Sequence, residues 1–114
     1  MSVSIKQLVG NDLITGTTDA AVDTLYTASN LTAQINAATV HNSNGSAVDI
    51  SVYILPSGVA ATAVDPVAVQ NIAAGESEVL ADLIGHVVPK DGTLAAFAGT
   101  TDVLRVTVSG LEIT

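Results

Sequence analysis

Apolar and polar side chains alternate most cleanly in two places. Val48, Ile50, Val52 and Ile54 alternate with Asp49, Ser51 and Tyr53, and further on Leu104, Val106 and Val108 alternate with Arg105 and Thr107. A period of two puts each set on opposite faces of a β-strand. In the first strand a one-residue slip would expose four apolar groups together, so its register is firmly set. Upstream lies His41–Ser46, where Asn42, Asn44 and Gly45 suit positive-φ positions. Downstream, Pro56 has no N–H to donate to a ladder and ends the strand. Thr39–Gly58 therefore reads as one arm of a β-hairpin that turns at His41–Ser46.

Leu31, Ala33 and Ile35 also alternate with Thr32, Gln34 and Asn36, but Ala38 and Val40 continue on the even register. A β-bulge near Ala37 supplies the extra residue; two shorter strands fit equally. Elsewhere the pattern is weaker. Ser2–Val9 ends at a Gly10-Asn11-Asp12 turn, Leu13–Thr15 is a brief strand, and Ala21–Ala28 is a weak strand around Val22, Leu25 and Tyr26. Pro66 opens an extended run with Val67 and Val69 on one register and Ile72 on the other, Thr93–Ala98 is a strand around Phe97, and Gly110–Thr114 closes with Leu111 and Ile113. Turns fall at Ala73–Ser77, Pro89–Gly92 and Thr100–Asp102. Val79, Leu80, Leu83 and Ile84 fit one short helical turn near 78–84, with Ser77 as its N-cap and Gly85 as its stop.

Some eight short strands, with turn signals roughly every 8–12 residues, predict an all-β, antiparallel β-sandwich of jelly-roll or immunoglobulin-like type. The pattern sharpens near Ser29. Residues 1–28 read as an N-terminal arm or edge strands and 29–114 as the sandwich core, a single domain overall. A hypothetical role for Ser2–Ala28 is to reach a neighbouring molecule.

Composition supports the strand reading. Val, Ile and Thr make up 37 of 114 residues, and β-branched side chains favour a pleated surface. The only aromatic residues are Tyr26, Tyr53 and Phe97. Eleven carboxylates face three cations, Lys6, Lys90 and Arg105, for a net charge of −8. That balance argues against nucleic-acid backbones, which need clustered cations, and against anionic membranes. A mean hydropathy of +0.53 with 12% charged residues leaves a surface of Thr, Ser, Asn, Gly and Ala, suited to close packing between subunits. There is no cysteine, hence no disulfide or thiolate chemistry. Met1–Lys6 lacks the plan of a secretion signal, and no apolar run approaches the roughly 20 residues of a spanning helix.

The candidate chemistry is sparse. His41 beside an Asn-rich turn reads as a solvated residue, and His86 after Gly85 as a capping or packing residue; no Gly-x-Ser-x-Gly elbow accompanies either. The carboxylates are dispersed, without an EF-hand run; a site built from several loops would favour Ca²⁺. Glu76 and Glu78 share a strand face but not the cleft a glycosidase pair requires. Phosphate-binding glycine motifs do not occur. The sequence assigns no catalytic, cofactor-binding or metal residues, no cofactor, and no enzyme activity.

Three groups of segments carry a family resemblance. They are Thr39-Val40-His41-Asn42 with Val52–Gly58, Ile72–Ser77 with Leu83–Val88, and Val108–Thr114. Together they resemble small β-sandwich virion proteins of tailed bacteriophages, of the capsid-decoration, head-fibre and minor tail type. The resemblance covers roughly residues 31 to 114. It implies a structural protein of the virion, assembled in the host cytoplasm. As a capsid-decoration (cement) subunit it would stabilise the head by lattice contacts, with the major capsid protein or other virion proteins as partners and a homotrimer as its oligomer. A tail, neck or head-fibre adaptor is the alternative; a carbohydrate-binding module is the alternative of another class, although few rings are on offer for stacking on sugars.

Overall fold

The computed structural model describes residues 2–114. Nine strands account for most of them: β1 Val3–Leu13, β2 Asp23–Thr27, β3 Thr32–Asn42, β4 Val48–Leu55, β5 Ala68–Ile72, β6 Ser77–Val79, β7 Val87–Val88, β8 Thr93–Ala98 and β9 Leu104–Ile113. Single 3-10 turns at Asp19–Ala21, Ala61–Ala63 and Ala81–Leu83 are the only helical pieces among the described residues. The all-β antiparallel sandwich predicted from the pattern is the observed fold.

The strands pair as a nested series. β4 pairs with β5, β3 with β6 and β7, β2 with β8, and β1 with β9, all antiparallel. This is one long hairpin with its tip at β4–β5. Pairing of β9 with β3 and of β8 with β4 wraps it into two sheets. The first runs β1-β9-β3-β6, with β7 sharing the free edge of β3; the second runs β2-β8-β4-β5. That order is the jelly roll rather than the immunoglobulin arrangement. The ninth strand arises because β6 and β7 divide one position, separated by the Ala81–Leu83 turn.

This topology corrects the hairpin expected around His41–Ser46. β3 and β4 lie in different sheets, so the segment crosses between layers instead of turning back on itself. Asn42 makes the crossing. It is fully buried (0% exposed), its Nδ2 donates to the carbonyls of Ser46 and Ile72 at 3.0 Å each, and its Oδ1 accepts from the Asn44 amide at 2.8 Å. A residue expected to serve a turn instead ties the β3–β4 crossing to the end of β5.

Val48, Ile50 and Val52 face the core as predicted, and Ile54 packs against it. Tyr53 points away from the core, also as predicted, yet is only 4% exposed. With Leu55, Ala61 and Ala95, flanked by Val22 and Phe97, it forms a second apolar cluster on the outside of the β2-β8-β4-β5 sheet. The Tyr53 and Phe97 rings stack with centroids 6.1 Å apart. Ala61, from the segment between β4 and β5, contributes to that cover.

The phase slip in β3 is a bulge, with register shifting between Ile35 and Ala37. Gly10-Asn11-Asp12 does not reverse the chain. Asn11 takes a left-handed φ of 56° and β1 continues through two register shifts, between Gln7 and Val9 and between Val9 and Asp12. The 78–84 helical turn contracts to Ala81–Leu83, and Ser77 belongs to β6 rather than capping it. β1 and β2 each form a sheet edge, and Leu8, Val9, Ile14 and Ala28 are buried in the common core. β3 and β9 approach so closely at Gly110 that a Cβ there would sit 1.9 Å from the Gln34 carbonyl oxygen. Only glycine fits that position.

Candidate interaction surface

Directly opposed residues in an antiparallel pair point to the same side, so the register sorts every strand position of the β1-β9-β3-β6/β7 sheet. Leu104, Val106, Val108 and Gly110 of β9 face the core. The outward set is Arg105, Thr107, Ser109, Leu111 and Ile113, with the residues opposite them. One cross-strand row reads Val87, Gln34, Leu111, Ile5, and the row beside it reads Thr32, Ile113, Val3. Ile5 is 90% exposed and Val3 54%. Beyond these lie Ala37, Ser109 and Gln7, then Val79, Thr39 and Thr107. Of seven exposed large apolar side chains among the described residues, Val3, Ile5, Val79 and Val87 lie on this one face.

The face carries no carboxylate at any strand position. Three acids belong to this sheet's strands, and each is opposite a core-side residue: Asp12 opposite Val106, Glu78 opposite Val40, Glu112 opposite Ala33. The outward ionisable groups are His41 and Arg105, adjacent in the register. The other eight carboxylates sit on the second sheet or on connections.

His41, expected in a solvated loop, lies near the end of β3. It is exposed, and its Nδ1 lies 2.7 Å from the Ser77 Oγ. Arg105, on its other side, donates to the Asn11 carbonyl at 3.1 Å. His86 is exposed, and its carbonyl accepts from the Ile35 amide at 2.9 Å, so its contribution is through the backbone. Glu76 and Glu78 do not act as a pair: Glu78 reaches back to the Ala73 amide at 3.0 Å and to Gln70 at 3.3 Å. Asp23 accepts from the Thr15 hydroxyl and the Gly16 amide at 2.9 and 3.2 Å, holding the connection that follows β1 against the start of β2.

Tyr26 donates to Glu112 Oε2 at 2.6 Å, and Lys6 approaches Glu112 Oε1 at 3.8 Å. Burial, then the bond to Glu112 and its charge, push the Tyr26 hydroxyl well above the ordinary phenol range. Burial, with smaller contributions from Asp19 and Asp65, raises Tyr53 also. Among the described residues there is no pocket and no convergence of three metal-ligating side chains, and no helix is long and apolar enough to cross a membrane.

Sequence reading did not single out this surface, although a signal was present. Apolar residues occupy even positions from Leu104 to Val108, then odd positions at Leu111 and Ile113. That switch at Gly110 moves the apolar side chains from the inner face to the outer one. In comparisons with known proteins, no family model, curated protein or solved structure matches this chain.

Proposed function

We propose that this protein is a structural subunit of a tailed-bacteriophage virion, a capsid-decoration protein that works by surface contact. One observation carries the reading. The molecule presents a broad sheet face that carries four of its seven exposed large apolar side chains among the described residues, is otherwise mostly small or uncharged, and has no carboxylate at its strand positions, although the net charge is −8. Such a face is built to be covered. The motif resemblance in residues 31–114 supports the same reading, as does the jelly-roll order, which recurs in viral capsid domains; the latter is an argument by analogy of fold. The partners are the major capsid protein and further copies of the chain, as a homotrimer, with the virion as its location.

The physical role is cement. Contacts available only on the mature lattice stabilise that lattice over any form lacking them. The test is co-sedimentation of the purified protein with phage heads that lack it, followed by heating. The expected result is saturable binding and head rupture at a higher temperature. Binding to isolated tails, with none to heads, would assign the adaptor role instead; binding to neither would refute the proposal.

A further inference from the structure

We infer that the outer face of the β1-β9-β3-β6/β7 sheet is the surface on which a second copy of this chain docks. The inference rests on the oligomeric part of the reading above and identifies the surface responsible. Charge selects the occupant. Each copy carries −8, so two copies repel at long range, and opposed carboxylates in a contact are costly. This sheet face is where copies can meet without such opposition, because Asp12, Glu78 and Glu112 all lie on the other side of its strands. A strongly charged partner finds little here to match it, with Arg105 and His41 the only outward ionisable groups at strand positions.

Size agrees with that occupant. With β1 and β3 each 11 residues long and four strand positions across, a rise near 3.3 Å and a spacing near 4.8 Å give a face of about 700 Å². Stable interfaces of standard size bury roughly 600–1,000 Å² per partner, a range that includes this area. Apolar anchors sit together at one end, in the Ile5–Leu111 and Val3–Ile113 rows. Small side chains at Ala37, Ser109 and Thr107 allow close approach over the rest.

The experiment is sedimentation equilibrium of the full chain at low and high NaCl, on wild type, Ile5→Asp and Val69→Asp. Ile5 and Val69 are 90% and 60% exposed, so neither change strains the fold; Val69, on β5, belongs to the other sheet. The expected wild-type mass is two or three chains, with association tightening as salt screens the mutual charge. Ile5→Asp weakens association at least tenfold and Val69→Asp leaves it unchanged. A monomer at both salt concentrations overturns the inference, as does equal weakening by both substitutions. Head binding is read separately. Oligomers that ignore heads refute the decoration role alone. A monomeric wild type whose head binding is lost with Ile5→Asp overturns this inference and makes the capsid the occupant.

Discussion

At the scale of single residues, Asn42 carries the most. It is the one fully buried polar side chain among the described residues, and it is satisfied on both its donor and acceptor sides. Asn42→Leu keeps the approximate volume but strands the Ser46 and Ile72 carbonyls and the Asn44 amide. The expected loss is about 2–4 kcal/mol, since each unsatisfied buried group costs around 1–3 kcal/mol. It would appear as a lower urea midpoint at unchanged m-value. Tyr26 sets a pH dependence. Its folded-state pKa is raised, so its contribution is complete below the ordinary phenol value of about 10 and is lost as pH climbs beyond it. Urea midpoints should fall above about pH 10, and Tyr26→Phe should reduce that fall, leaving the part due to Tyr53. Losing the bond to Glu112 should itself cost about 1–2 kcal/mol at neutral pH, for a charge-assisted bond that is partly solvated.

At the scale of elements, legibility followed burial on one face. β4 and the first half of β9 were readable because large apolar side chains meet the core on one side and mostly polar ones lie between them; β8 was less so, with Leu94, Ala95, Ala96 and Ala98 all buried. β1 was not, because two register shifts break its period and leave Leu8 and Val9 adjacent and both buried. An asparagine at left-handed φ is a turn residue by composition, and only the pairing of β1 with β9 shows that at Asn11 it makes a bulge. β5 was ambiguous in another way. Val67 and Val69 lie on one register and Ile72 on the other, which leaves the inner face undecided; Ala68 and Ile72 are buried and Val69 is exposed, and a small alanine carries less pattern than a valine. Val69→Lys should therefore change stability by no more than about 0.5 kcal/mol, whereas Ile72→Ala should cost about 2–5 kcal/mol. Thermal or urea unfolding of the two variants checks the register directly. The hairpin at His41–Ser46 was misread because a turn-rich hexapeptide specifies a change of direction but not which sheet receives the next strand.

At the scale of the whole molecule, the fold class was legible and the surface was not. Alternation and turn spacing are properties of one strand at a time. The outer face of the first sheet is assembled from β1, β3, β6, β7 and β9, which are distant in sequence, and can be read only once their register is known. The fold keeps His41 on β3 with Ser77 beside it and gives the His86 backbone a bond to the Ile35 amide; neither placement could be read from the local sequence.

The nested pairing has a consequence for synthesis. β9 is inserted between β1 and β3, so until Leu104–Ile113 leaves the ribosome both of those strands lack the neighbour that joins them. Long-range pairing of this kind also folds slowly, in milliseconds to seconds. Nascent chains arrested before β9 emerges should be cut readily by a protease. Chains arrested beyond it, on an added C-terminal linker, should resist. The protein would then acquire its structure in one late step, and the apolar strands made first would have to remain soluble while they wait.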